Sequence, residues 1–293
     1  MKFDSYHPTI NFLYFTSVIV MSISFDHPVF LVMSYVMSYL YSAKLYGKKA
    51  FLGNLLTVPF IIFFAWFYSY YNHFGVTYLS QNFTENYITL EAVIYGAVIG
   101  IKISSVIMWL ECVFEILCTD KVIYLFGRLS PKLSLFISIT LRMVPRVIAR
   151  AKKINTAQRG IGRGAGQGQI VEKVKNSIRL VSMTVTWTLE NLVDSAVSMK
   201  NRGYSLKGRT AFSIYRFDNR DRIIVIILMW MIFLITFGYL LDQTNITYDP
   251  MIIMNKITPV SCVFYISYFI FGMLPLMLQV YGEKKFAMQR KKA

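Results

Sequence analysis

The sequence predicts an all-α, polytopic integral membrane protein with about six transmembrane helices and two or three long cytoplasmic amphipathic helices. Three observations carry that expectation. The 293 residues are 55% hydrophobic and only 16% charged, too apolar for a soluble domain of this length. The apolar residues fall in runs that approach the roughly 20 needed to cross a bilayer core. The basic residues are confined to certain loops and missing from others, as they are when Lys and Arg stay on the cytoplasmic side.

Six stretches read as spans: 10–25, 28–43, 51–71, 92–118, 223–242 and 257–281. The first two are short and form a hairpin turning at Asp26-His27-Pro28. No small-x-small cleavage site follows the first apolar run, so a cleavable signal is not expected. Residues 119–221 hold 19 Lys or Arg, the 44–49 loop three and the tail from Gly282 five, whereas 72–91 has none and 243–256 only Lys256. An even number of spans with both termini in the cytoplasm satisfies every loop. The +16 formal charge then follows from the insertion rule and from facing anionic headgroups, and no nucleic-acid partner is expected. The Asn-x-Thr triplets at Asn82 and Asn245 fall in outside loops.

The chain thus divides into N-terminal transmembrane helices (1–118), a cytoplasmic helical region (119–221) and C-terminal transmembrane helices with a basic tail (222–293). In the cytoplasmic region, Ile178, Val181, Val185, Leu189, Leu192, Ala196 and Met199 recur in steps of three and four, one stripe of an amphipathic helix. Lys175, Arg179, Glu190, Asn191, Asp194 and Ser198 occupy its other face. The stripe must be buried on the membrane surface, on the protein's own spans or on a partner. Residues 131–159 show a similar pattern, opened by Pro131 and kinked or divided by Pro145. Between the two lies GIGRGAGQG, glycine at every second position from 160 to 168, a flexible or sharply turning connector.

Chemistry-bearing motifs are weak. GYSLKGRT (203–210) imitates a phosphate loop with Arg209 in place of Lys, and GIGRGA (160–165) imitates a dinucleotide loop. Neither follows a strand, so this chain is not expected to bind ATP or NAD itself. His7, His27 and His73 lack partners at metal-ligand spacing, and Cys112, Cys118 and Cys262 read as buried reduced thiols. No catalytic residue and no metal site is expected. Glu111 and Glu115 share a face of the fourth span with Lys102 roughly in line, which makes them candidates for ion coupling or simply a solvated helix end.

The remaining feature is a repeated helix end. LENLVDSAVSMKNRGYS closes on Arg202-Gly203, and NTAQRGIGRG carries Arg159-Gly160 and Arg163-Gly164. Gly203 suits the left-handed residue that ends a helix, with Arg202 beside the last carbonyls. Two long helices ending in Arg-Gly present two docking knobs, because the planar guanidinium pairs bidentately with carboxylates. Two knobs imply two similar sockets.

These residues resemble the transmembrane T component of energy-coupling factor (ECF) transporters, a family marked by paired x-Arg-Gly motifs on cytoplasmic coupling helices. Asn201-Arg202-Gly203 matches the second motif. For the first, Gln158-Arg159-Gly160 is preferred, and Arg163-Gly164 offers a second register. PKLSLFISITLRMVPRVIARA, His7-Pro8 and GRTAFSIYRF add to the likeness. The resemblance implies a non-catalytic subunit of a bacterial cell-membrane ABC importer. Two ABC-type ATPases, which carry the ATP and Mg, would dock on the Arg-Gly motifs. A membrane-embedded S component, which holds a vitamin or other micronutrient, would pack on Val181, Val185, Leu189, Leu192 and Ala196. Two rival readings stay open from the residues alone: a membrane enzyme acting on a lipid phosphate, and a permease that conducts its own substrate.

Overall fold

The computed structural model describes residues 3–81, 87–129, 131–204, 206, 215, 217–241, 245–255 and 258–292. A short 3-10 turn, Phe3–Ser5, precedes α1 (Pro8–Ser24), α2 (Pro28–Tyr46), α3 (Lys48–Leu55) and α4 (Thr57–Tyr71). A hairpin of β1 (Tyr78–Gln81) and β2 (Tyr87–Thr89) leads into α5 (Leu90–Ile116), α6 (Thr119–Leu129), α7 (Pro131–Gly160) and α8 (Ile170–Asn201). Then follow α9 (Asn219–Leu240), the small hairpin β3 (Ile246–Thr247) and β4 (Ile253–Met254), and α10 (Pro259–Lys292). The chain forms two compact units, Met1–Cys118 with Tyr215–Ala293, and Thr119–Ile214. Asn82, Lys256, and residues 205, 207–214 and 216 of the 203–210 and 208–217 stretches singled out above lie outside the described residues.

The first unit is the membrane unit. Among the described residues, four helical segments are long and apolar enough to cross a bilayer: Phe51–Tyr71, Leu90–Ile116, Asn219–Leu240 and Pro259–Arg290. Pro8–Ser24 is a shorter apolar helix of 17 residues. In α2, Ser34, Ser38 and Ser42 dilute the apolar run and are buried instead against neighbouring helices.

Both α1 and α2 begin with the same device. His7 and His27 precede Pro8 and Pro28, whose fixed φ and missing N–H suit a first helical position. Each imidazole accepts a hydrogen bond through Nδ1 from the backbone N–H two residues on, Thr9 and Val29, both at 3.3 Å. These caps place the α1–α2 turn at 25–27, where the dipeptide His27-Pro28 predicted it.

Helices α1, α2, α5, α9 and α10 enclose an aromatic core around Trp109, Tyr14, Phe15, Phe30, Tyr268 and Phe271. Several of its polar atoms are paired, whereas the buried Tyr41 hydroxyl finds no partner among the described residues. Tyr14 donates to the Gly272 carbonyl at 2.9 Å, Ser22 and Ser34 share a bond of 2.7 Å, and the Trp109 indole N–H donates to Ser34 at 3.4 Å. Such pairing is required where no water reaches. Helix α4 packs on α5 through Gly96 and Gly100, whose backbone lies against Ala65 and Ile61. Small residues four apart let two membrane helices approach closely.

At one end of the unit, Tyr248 donates to the Asp26 carbonyl at 2.8 Å. Burial, with the Asp26 charge adding to it, pushes the Tyr248 hydroxyl up to about 12. Lys102 forms an ion pair with Asp26 and donates to the Ile23 carbonyl. Lys102 therefore serves the α1–α2 turn and does not pair with Glu111 or Glu115, both exposed. Lys102 and Glu111 are nine residues, about 13 Å, apart along the helix, beyond side-chain pairing, and Glu115 is farther still. The expectation of buried thiols holds for Cys112 but not for Cys118 and Cys262, which are exposed. Each of those two sits beside a helix end or on an outward face.

Candidate functional site

The second unit is built from α6, α7 and α8. Ser134 of α7 donates to the Ile123 carbonyl of α6 at 3.3 Å, joining the two helices. α7 runs from Pro131 to Gly160 with Pro145 inside it, so of the two outcomes expected at Pro145, a kink or a division, the division does not occur. One missing N–H leaves the flanking bonds to carry the helix across.

Helices α7 and α8 pack as an antiparallel pair. Near the connector, Gln158 Nε2 lies 3.8 Å from Met183 Sδ. Farther along, the Arg150 guanidinium sits over the Trp187 ring at 5.1 Å, a cation–π contact. The α8 face turned to α7 is mostly mixed: Met183, Thr184, Trp187, Thr188 and Asn191 are buried or half-buried. The predicted apolar stripe points elsewhere. Val181, Val185, Leu189 and Leu192 are exposed at 60, 50, 58 and 38%, and Ala196 is exposed too. Apolar side chains at that spacing, open along four turns, form a surface that needs a cover.

The connector is ordered by its own polar side chains. Gly164 N–H donates to Gln167 Oε1 at 2.9 Å, and Ala165 N–H to Asn155 Oδ1 at 3.1 Å. Gln167 Nε2 donates back to the Arg159 carbonyl at 3.4 Å, and Asn176 Nδ2 to that of Gly164 at 3.4 Å. Glu172 accepts from the Gln169 N–H at 3.1 Å and so caps the start of α8. Asn155, Gln167 and Asn176 were not singled out from the sequence. The signal that could have found them is amide side chains flanking a glycine run.

Both helix ends close the same way. At α8, Gly203 has φ +77°, Tyr204 N–H donates to the Met199 carbonyl at 3.2 Å, and Gly203 N–H to that of Lys200 at 3.0 Å. At α7, Gly162 has φ +74°, Arg163 N–H donates to the Gln158 carbonyl at 2.9 Å, and Gly162 N–H to that of Arg159 at 3.1 Å. Each is the paired-bond ending in which a left-handed glycine satisfies the last carbonyls. The register differs. Arg202 directly precedes its left-handed glycine, whereas in α7 that glycine is Gly162 rather than Gly160. Gly160 remains in the helix. Arg159 stands three residues before the terminator and Arg163 one after it.

Arg159, Arg163 and Arg202 are all exposed, as are Gly160 and Asn201; Gln158 and Gly203 are half-buried and Gly164 is buried. A Cβ built on Gly164 would lie 2.3 Å from Arg159 Cγ. The connector thus folds back onto the Arg159 stem. Arg202 lies 19 residues beyond Met183, about 28 Å along the helix axis. The two arginine-bearing ends are far apart, and nothing else chemical converges on them: no group of three or more His, Cys, Asp or Glu that could hold a metal occurs among the described residues.

Residues 6–214 match the CbiQ family, described as cobalt transport protein. The chain belongs to this family. CbiQ relatives include the energy-coupling factor transporter transmembrane protein EcfT of Lactococcus lactis subsp. cremoris, 30% identical over 105 residues, which is 36% of this chain and 40% of the relative. The EcfT of Lacticaseibacillus paracasei is 32% identical over 91 residues, 31% of this chain and 34% of the relative. That of Listeria innocua serovar 6a is 31% identical over 96 residues, 32% and 36%. The matched stretch spans two fifths or less of each curated relative. The resemblance to ECF T components drawn from the Arg-Gly pairs is upheld by this membership.

Proposed function

We propose that this chain is the transmembrane coupling subunit of an ECF-type ABC importer in a bacterial cell membrane. In this reading α1, α2, the α3–α4 segment, α5, α9 and α10 make six spans with both termini cytoplasmic, and α7 and α8 are coupling helices. Arg159, with Arg163 as the alternative register, and Arg202 dock two ABC-type ATPases, which bind the ATP and Mg. The α8 stripe from Val181 to Ala196 is the platform for a membrane-embedded S component. The chain has no catalytic residue of its own, and the vitamin or micronutrient carried is decided by the S component.

One observation carries this most strongly. Two long helices each stop at a left-handed glycine, each with exposed arginine at the stop, about 28 Å apart along α8. A guanidinium at a helix tip is placed to enter a carboxylate-lined socket, and two such tips suit two copies of one partner. The open apolar stripe beside them supplies a third surface, which a lipid-soluble partner can cover.

The mechanism follows from stiffness. A hydrogen-bonded helix of 30 or more residues transmits displacement of its end along its length. ATP-driven closure of the two ATPases would move the arginine tips and thereby tilt the platform under the S component, releasing cargo inward.

Purification in mild detergent with mass-spectrometric identification tests the reading. Two ABC ATPases and one or more small hydrophobic proteins are expected. The Arg159→Ala/Arg202→Ala double variant should lose the ATPases, each contact being worth on the order of 2–5 kcal/mol. A double variant that retains the ATPases and full uptake would overturn the docking assignment.

A further inference from the structure

An open groove of about 310 Å³ runs between α4 and α5 of the membrane unit, lined by Ile62, Ala65, Trp66 and Ser69 of α4 and by Val93 and Ala97 of α5. Ile88 of β2, two residues before α5 begins, lines it as well. Gly96 lies against Ala65 and Gly100 against Ile61. The two helices therefore run antiparallel, and Ser69 stands level with the first turn of α5.

One polar group interrupts the apolar wall. Ser69 is 2% exposed, and its hydroxyl has no hydrogen-bond partner among the described residues. Ser17, Ser22 and Ser267 on other helices donate to the carbonyl four residues back. For Ser69 that carbonyl belongs to Ala65 and faces the α5 seam, where a Cβ on Gly96 would stand 2.9 Å from it. A buried hydroxyl without an acceptor costs free energy that a ligand carrying one recovers.

The position of Ser69 says which ligand. It lies two residues before α4 ends at Tyr71. Trp66, Tyr71, Tyr78 and Tyr87 are exposed around this end, and such amphipathic rings gather where a span leaves the hydrocarbon. At that depth acyl chains join glycerol through ester carbonyls. From Ser69 back to Ile61 the groove continues about 12 Å along α4 with apolar walls. A helix of another protein keeps its carbonyls in its own hydrogen bonds, whereas an ester carbonyl finds no donor among lipid tails. A lipid matches both the apolar wall and the lone donor.

We propose that this groove binds one acyl chain of a diacyl glycerolipid, whose ester carbonyl accepts a hydrogen bond from the Ser69 hydroxyl. Rotation about the Ser69 Cα–Cβ bond to another staggered position presents the hydroxyl to the groove. The linkage is recognised and the headgroup is not. The site is separate from the arginine tips of α7 and α8, and its test does not depend on them.

Native mass spectrometry of the full chain tests this, after equilibration with equal amounts of diacyl phosphatidylcholine and its dialkyl-ether counterpart of the same chain length. The ester lipid should be retained about three- to tenfold over the ether lipid. Ser69→Ala removes a hydroxyl that lacks an acceptor, so it should fold at least as well as the parent and hold the two lipids equally. Ala97→Leu fills the groove and should lower retention of both about fivefold. Exchanging phosphatidylcholine for phosphatidylglycerol in both lipids should leave the ester preference unchanged. Equal retention by the parent, an ester preference that survives Ser69→Ala or follows the headgroup, or parent-like retention by Ala97→Leu would each overturn the proposal. So would a dimer of the chain that Ala97→Leu abolishes with lipid retention unchanged, which would assign the groove to a second copy.

Discussion

Gly164 lies directly against Arg159: a Cβ at position 164 would stand 2.3 Å from Arg159 Cγ and 3.3 Å from its Cα. Gly160, although it completes the Arg-Gly dipeptide, has nothing within 4 Å of its own added Cβ. The glycine that matters to Arg159 is therefore the one folded back onto it, not the one after it. Gly164→Ala should displace the Arg159 side chain, and Gly160→Ala should leave it in place while gaining about 0.5–1 kcal/mol of helix propensity. In copurification, Gly164→Ala should weaken ATPase recovery and Gly160→Ala should match the parent. The reverse order would show that the bare Arg159-Gly160 dipeptide, rather than the folded connector, forms the first docking point.

The left-handed terminators give a second expectation. An L-residue at φ near +75° costs roughly 1–2 kcal/mol, so Gly162→Ala and Gly203→Ala should fray the last turns of α7 and α8. Amides held by those endings, at Arg163 and Tyr204, should exchange with solvent about five- to thirtyfold faster, while those of the α7–α8 contact around Trp187 hold steady. Unchanged exchange at both ends would mean that other contacts, not the glycines, stop these helices.

These two endings also show how far residues alone could be read. The stripe from Ile178 to Met199 was legible because period is local, and so was Gly203, a single glycine beside the end of that period. In the connector, five alternating glycines offer five candidate terminators, and only the closing bonds from Arg163 and Gly162 to Gln158 and Arg159 single out Gly162. The α1–α2 turn could be placed from His27-Pro28, yet the partner of Lys102 could not, since Asp26 lies 76 positions away. Pro145 is expected to kink or divide α7, and it does not divide it, because the loss of one hydrogen bond is small against 30 residues of helix. Which face of α8 would stay open was likewise undecidable from its period, because the side packed on α7 is the mixed one, Met183, Thr184, Trp187, Thr188 and Asn191, and not the apolar stripe.

The α4–α5 seam makes a prediction about the membrane unit. A Cβ on Gly96 would lie 2.9 Å from Ala65 Cα and from its carbonyl oxygen, atoms that cannot step aside. At Gly100 the nearest atom, Ile61 Cα, is 3.2 Å away. Overpacking of this kind costs about 1–3 kcal/mol. Gly96→Ala should therefore lower the thermal midpoint of the detergent-solubilised chain by several degrees, Gly100→Ala by less, and Gly53→Ala, with nothing within 4 Å, hardly at all. Equal midpoints for the Gly96 and Gly53 variants would contradict the close approach of α4 and α5.

His27 links stability to pH. Its Nδ1 accepts the Val29 N–H at 3.3 Å, which leaves the ring proton on Nε2, 3.3 Å from the Tyr265 hydroxyl. A second ring proton would turn the acceptor into a donor and abolish the cap. Burial works in the same direction, holding the imidazole below its usual value of 6.5. In the unfolded chain His27 protonates near pH 6.5, whereas the folded chain resists protonation until lower pH. The stabilisation is accordingly complete above about pH 6.5 and is lost as pH falls from there through the folded value. Melting of the solubilised chain should be flat between about pH 7 and 8 and decline below about 6.5. His27→Asn keeps an acceptor at the start of α2 without titrating in this range, so its profile should lose that acid-side decline. Parallel profiles for parent and variant would assign the acid sensitivity to other groups.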